Sequence, residues 1–271
     1  MADCILVTGG AGYVGSHVIV ELARAGYAPV ILDSFATSSP AVLPRLAALA
    51  GAPVPCIEAD VRDVDALRRA FHDHPISGVV HCAGLTAVGE SEARPLAYYD
   101  VNVGGMLALA EVMGEAGVAT CVFSSSATVY GQPDALPVGE DAPLQPRSVY
   151  GRTQRIVEDF LRDLARGNPN WRLAVLRCFN PAGAHPSGRI GEAPTDRPGG
   201  LVPLLCRVAA GELAGLPIYG TDWPTPDGTG VRDYLHVQDL AEGHVAALRY
   251  LGANPGATTL NLGLGRGHSV L

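Results

Sequence analysis

Short apolar runs alternate along this chain with longer stretches whose apolar residues recur every three or four positions. Cys4-Ile5-Leu6-Val7-Thr8 reads as a strand, and Gly12 to Ala25 as a helix with one apolar stripe. A strand at Pro29–Leu32, a helix at Ala41–Ala50 and a strand at Val54–Glu58 follow, then a helix from Asp63 to His72 with Asp63 as its cap. Strands at Gly78–Cys82 and Ala119–Ser124 flank a long helical segment, Leu96–Ala116. One more helix, Tyr150–Ala165, and one more strand, Leu173–Cys178, complete the alternation. This is the pattern of an α/β fold with a doubly wound parallel sheet. Beyond it, Pro181–Gly200 and Gly220–Val231 are rich in Pro and Gly, lengths typical of functional loops. The pattern predicts a main domain over 1–178 and a small lobe over 179–271. Residues 236–262, a helix at Val237–Tyr250 and an apolar run at Thr259–Leu262, return to the main domain.

Composition narrows the chemistry. The 271 residues carry a net charge of −8, and every one of the 19 basic residues is Arg; there is no Lys. Schiff-base and phosphate-loop lysines are thereby excluded, and Arg does not replace them because it stays charged and differs in geometry. Charged residues make up only 17%, which points to extensive burial. The acidic balance argues against nucleic acid or an anionic membrane surface as partner. No apolar run reaches the roughly 18 residues of a spanning helix, and no leader pattern opens the chain. Cys4, Cys56, Cys82, Cys121, Cys178 and Cys206 lack metal-type spacing and mostly sit in apolar runs. They read as reduced and buried, in a cytoplasmic protein.

The first strand runs into Thr8-Gly9-Gly10-Ala11-Gly12-Tyr13-Val14-Gly15, and a helix follows directly. Gly9 suits the tight turn, Gly12 lets backbone N–H groups approach a pyrophosphate, and Gly15 lets helix and sheet pack closely. The second strand ends at Asp33, whose carboxylate can accept from both ribose hydroxyls and repels a 2′-phosphate. The spacing therefore predicts a dinucleotide-binding Rossmann-like domain that takes NAD rather than NADP. Asp60, read as the end of the third strand, is equally an adenine contact or a helix cap.

Strand five leads into Ser124-Ser125-Ser126-Ala127-Thr128-Val129-Tyr130-Gly131, and Tyr150-Gly151-Arg152-Thr153-Gln154 opens a helix further on. With Phe179–Gly188, Asp227–Tyr234 and Asn261-Leu262-Gly263, these segments resemble the UDP-glucose 4-epimerase branch of the extended short-chain dehydrogenase/reductase family. The resemblance runs from Cys4 to Leu271. It implies a reaction without net redox change, in which C4 of a UDP-hexose is oxidised by NAD and then reduced from its opposite face. Tyr150 is the implied base, Ser126 its hydrogen-bonding neighbour, and Gln154 stands one helical turn on. The implied cofactor contacts are Gly9, Gly12, Tyr13, Val14, Gly15, Asp33, Ser34, Asp60, Val61, Cys82, Ala83, Gly84, Thr86, Asn102, Ser124, Tyr150, Gln154 and Cys178. For the substrate they are Ser126, Tyr150, Asn180, Gly200, Leu201, Tyr219 and Arg232, with Tyr219 facing uracil and Arg232 the phosphates. The resemblance also implies pairing of two copies through the long helices.

Several positions depart from the family pattern. The family's lysine four residues after the tyrosine is Gln154, its lysine after Ala83-Gly84-Leu85 is Thr86, and its aromatic before Phe179 is Cys178. Gly199-Gly200 replaces an asparagine pair. Arg152 and Arg155 fall on other sides of the helix. A phenol without that lysine keeps a high pKa, so slow turnover that improves towards alkaline pH is expected. The family continues beyond the equivalent of Leu271, so the lobe is expected to be incomplete and partly unroofed. Two rivals stay open: an impaired or inactive NAD-binding relative, and an epimerase or dehydratase acting on another nucleotide sugar. His72-Asp73-His74 reads as a solvated helix end rather than a metal site. Gly263, Gly265 and Gly267 read as a turn, and His236 and His244 as packing or surface residues.

Overall fold

A computed structural model describes residues 2–193 and 200–271. The elements run β1 (Cys4–Thr8), α1 (Tyr13–Arg24), β2 (Ala28–Asp33), α2 (Leu43–Ala50), β3 (Cys56–Glu58), α3 (Val64–Asp73) and β4 (Ile76–His81). Then come α4 (Val88–Ala93), α5 (Pro95–Tyr98), α6 (Gly105–Glu115), β5 (Thr120–Ser126), α7 (Val149–Gly167) and β6 (Arg172–Cys178). The rest comprises β7 (Asn180–Ala182), α8 (Leu201–Ala209), β8 (Val231–His236), α9 (Val237–Ala253), β9 (Gly256–Leu262) and β10 (Gly267–Ser269). Seven strands form one sheet in the order β3-β2-β1-β4-β5-β6-β9. Every neighbouring pair in it is parallel. A second sheet, β10-β8-β7, joins the late strands.

Period-two alternation sorts the core into two layers. Leu6, Val79, Phe123 and Val175 face α3, α6 and α7, where Leu67, Leu109 and Leu161 are buried. Ile5, Val7, Val80 and Leu176 face α1, α2 and α9, where Ile19, Leu46 and Leu248 are buried. The chain order reverses between β1 and β4, the place where such sheets open a crevice at the strand C-termini.

The structure amends the predicted elements at several points. The expected long helix over Leu96–Ala116 is present as α5 and α6, which a π-helical turn at Tyr99–Gly104 joins without interruption. It carries Asn102 into the interior, where the side chain is hydrogen-bonded. Pro181–Gly200 is less irregular than expected, since Pro181 lies in β7 and Ala184 bridges Gly191. The helix α8 was not anticipated, and none of its residues is buried. All six cysteines are free, but Cys206, on α8, is exposed rather than buried.

Candidate functional site

The turn between β1 and α1 is built by close approach. Gly9 sits at φ +70°, and its N–H donates to the Leu32 carbonyl at 2.8 Å. A Cβ on Gly15 would stand 2.1 Å from the Gly9 carbonyl oxygen, and one on Gly9 would stand 2.7 Å from the Ala83 nitrogen. Only glycine fits either place, and the result is an α1 N-terminus pressed against the sheet. No side chain caps α1 and no acidic residue occupies its first turn. Gly12, Tyr13, Val14 and Gly15 line a cavity of about 2710 Å³, where the helix end offers N–H donors and a partial positive charge. That cradle fits a pyrophosphate.

Asp33 ends β2 and is buried. Its Oδ2 accepts from the Ala11 N–H at 2.9 Å, and its Oδ1 from the Phe35 N–H at 2.9 Å and the Ser38 hydroxyl at 2.8 Å. The carboxylate thus pins the glycine turn while lining the same cavity beside Ser34. Asp60 lies beyond the end of β3, not at its last residue, and Asp63 is the residue that caps α3. Asp60 accepts from the Arg62 backbone and guanidinium, and Arg62 also reaches Asp100. Hydrogen bonding by Arg62 holds the Asp60 carboxyl below the usual carboxylate range. Asp60 and Val61 line the cavity, but the Asp60 oxygens are largely engaged.

Past β4, Cys82, Ala83, Gly84 and Thr86 line the cavity. Asn102 does not, and its side chain is held by protein partners. Its Oδ1 accepts from Leu85 N–H at 2.8 Å, and its Nδ2 donates to the Leu85 carbonyl at 3.0 Å and the Thr153 hydroxyl at 3.1 Å. The amide ties the Gly84–Thr86 loop to α7.

Tyr150 stands in the first turn of α7, whose N-cap Ser148 accepts from Gly151 N–H at 3.0 Å. The phenol lines the cavity, and burial pushes its pKa up to about 12. The nearby Ser126 hydroxyl opposes that rise, and Cys178 adds to it. Ser126 ends β5 and accepts from the Thr128 N–H and hydroxyl, which leaves its own proton for the phenol. Among the described residues no cation lowers the pKa of the Tyr150 phenol. Gln154 is buried one turn along the helix, outside the cavity lining, and its Oε1 has no hydrogen-bond partner. Arg152 and Arg155 are exposed, with Arg155 donating to the Leu144 carbonyl at 2.7 Å. Ser124 and Cys178 line the cavity 3.6 Å apart (Oγ to Sγ), and burial pushes the Cys178 thiol up to about 12.

The far end of the cavity is formed by Asn180, Gly200 and Arg232. Asn180 Nδ2 donates to the Asp233 carbonyl at 3.0 Å. Arg232, exposed on β8, forms no ion pair among the described residues. Leu201 and Tyr219 do not line the cavity, and Tyr219 is 84% exposed. Gly199 lies outside the described residues. Arg189 and Arg266, which sequence reasoning passed over, also line the cavity. Arg266 becomes visible only through strand pairing: Gly267, its neighbour, pairs with Asp233 on β8.

Comparison with known proteins agrees with this arrangement. The NAD dependent epimerase/dehydratase family matches residues 5–263, and the chain belongs to it. It is 52% identical over 268 residues to the UDP-glucose 4-epimerase of Neisseria meningitidis serogroup A, covering 98% of this chain and 79% of that one. To the UDP-glucose 4-epimerase of Bacillus subtilis (strain 168) it is 51% identical over 267 residues, with the same coverage of 98% and 79%. Among solved structures, the Bifidobacterium longum UDP-glucose 4-epimerase in complex with NAD+ and UDP matches with a TM-score of 0.96. That match has 45% identity and covers 99% of this chain and 80% of that one. The Stenotrophomonas maltophila enzyme with bound NAD and formylated UDP-arabinopyranose also scores 0.96, at 47% identity, covering 100% and 80%.

Proposed function

We propose that this chain interconverts UDP-glucose and UDP-galactose by inverting C4 of the hexose through transient oxidation. The observation that carries this reading is one continuous cavity joining the glycine turn and Asp33 to Tyr150, Ser126 and Arg232. It occurs in a chain half identical, over nearly its whole length, to proteins named for that reaction. The uncapped α1 N-terminus and the Asp33 carboxylate fit a dinucleotide. When bound, NAD supplies a hydrogen acceptor at C4 and the donor for its return.

The chain's own residues handle the proton. Tyr150, in its phenolate form, takes the C4 hydroxyl proton and becomes the neutral phenol, and the Ser126 hydroxyl favours the phenolate before the transfer. Asn180, Gly200 and Arg232 hold the UDP group, with Arg232 on the phosphates. A phenol at about 12 is ionised in only about one molecule in 10⁵ at pH 7. Turnover is therefore slow at neutral pH and rises as pH approaches the phenol's range. Gln154 supplies no charge to change that, so weak activity is the expected state of this enzyme.

The test is turnover of UDP-galactose by the wild type beside Gln154→Lys. An ammonium one turn from Tyr150 favours the phenolate by about 1–3 pKa units, so the neutral-pH rate should rise at least about tenfold. A silent wild type and a silent Gln154→Lys variant that both retain NAD would instead support the inactive relative. Val88, Leu96, Tyr99, Leu107 and Ile156 are exposed apolar residues on α4 through α7. They support the proposed pairing of two copies, and six free thiols support a reducing cytoplasmic setting.

A further inference from the structure

A buried polar network lies directly behind the reaction end of the cavity. Glu158, fully buried, stands two turns along α7 from Tyr150 and so shares its helix face. Its carboxylate accepts from Arg177 Nε at 3.2 Å and NH2 at 2.8 Å. It also accepts from the Ser125 hydroxyl at 2.7 Å and from Arg162 at 3.1 Å. Arg177, on β6, pairs in register with Ser125 on β5 and lies over the Tyr130 ring, 4.8 Å from its centroid. Arg177 NH1 donates to the Tyr130 hydroxyl and the Glu140 carbonyl, both at 2.8 Å, and the Tyr130 hydroxyl donates to Asn261 Oδ1 at 2.7 Å. The two residues that follow the Ser125/Arg177 pair are Ser126 and Cys178, both in the cavity wall.

We propose that the Glu158–Arg177 pair is a positioning device. It sets how deeply α7 seats on β5 and β6, and so fixes where the Tyr150 phenol, on α7, stands relative to the Ser126 hydroxyl at the end of β5. A buried ion pair adds little net stability over well-packed apolar residues, so geometry is the contribution it makes here. Ser125 is the tether: its hydroxyl holds the strand end one residue before Ser126 against the helix that carries Tyr150. The groups that act on the phenol are the Ser126 hydroxyl from β5, which favours the phenolate, and the Cys178 thiol from β6, which opposes it; among the described residues no cation does. A loosened tether therefore weakens the influence of Ser126, and no protein cation makes up for it.

The role rests on the proposed chemistry of Tyr150, but its test does not require turnover. Ser125→Ala and Glu158→Asp both leave the net charge unchanged. In NAD-loaded protein, ultraviolet difference absorbance against the same variant carrying Tyr150→Phe reads the Tyr150 phenolate at fixed alkaline pH. Both variants should show less phenolate than wild type, and Ser125→Thr, which keeps the hydroxyl, should restore it. Where turnover is measurable, kcat at fixed pH should fall about threefold to tenfold while KM stays within about twofold. Lower thermal stability with unchanged phenolate and kcat would overturn the proposal. If Glu158→Asp does not fold, Ser125→Ala decides alone, and an unshifted phenolate in it overturns the proposal equally. Absent turnover with a shifted phenolate would count against the epimerase reading and leave the positioning role standing.

Discussion

The two ends of the cavity are made in opposite ways. At the cofactor end every residue of β1 is buried, and the glycine turn is so close that a single methyl on Gly15 would overlap the backbone. At the lobe end α8 buries none of its residues, and Tyr219 and Trp223 stand in solvent. The first end offers backbone N–H groups and one carboxylate held in fixed places. The second offers long side chains such as Arg232, at an exposed position of β8. Tolerance to change should differ accordingly.

The largest expected effect is of acid on the doubly wound body. His81 ends β4, bonded to the Thr8 hydroxyl at 2.7 Å, and His244 is buried in α9. Burial pushes both imidazoles down to about 4. The unfolded chain binds these protons first, so each histidine's contribution is intact above about pH 6.5 and is lost as pH falls towards 4. The loss is about 3 kcal/mol for each site. Thermal midpoints measured from pH 7 to pH 4 should fall steeply; a flat profile would place the tight half's stability elsewhere. Gly15→Ala comes next. Overpacking by one methyl costs about 1–3 kcal/mol, so NAD retention after gel filtration should drop by up to about 100-fold. Unchanged retention would mean that the turn can relax and that the contrast between the two ends is smaller than it looks. The smallest effect belongs to Tyr219→Ala. A surface substitution shifts free energy by about 0.5 kcal/mol or less, so KM for a UDP-sugar should stay within about twofold. A larger change would bring Tyr219 into the site and erase the contrast at the lobe.

Legibility in the sequence follows the same division. The cofactor end is encoded locally: the spacing of Gly9, Gly12 and Gly15, and Asp33 at a strand end, state their own geometry. The helix α8 was hidden because Pro203 reads as a breaker. It falls in the first turn, where backbone N–H groups have no partner within the helix and a proline costs little. Asn102 entered the sequence reading only through the resemblance. Its hydrogen-bond partners, Leu85 and Thr153, come from segments that only the fold brings together. Arg177 lies in an apolar strand, where a charge signals a buried partner, but Glu158 sits in a helix with many charged residues and only the fold joins the two. Tyr150 with Gln154 was legible in full as spacing, while the burial that pushes the phenol up needed the packed structure.

The pairing of β1 with β4 has a consequence in time. Thr8 and His81 touch across 73 positions of chain, and β2, β3 and their helices lie between them. The dinucleotide crevice does not exist until that long loop has closed, and non-local closures of this kind are slow. During synthesis at about 5–20 residues per second, the glycine turn leaves the ribosome several seconds before Ala83 arrives to complete its wall. A nascent chain therefore exposes an apolar β1 with no ligand to protect it. Cofactor capture belongs to the late stages of this protein's maturation.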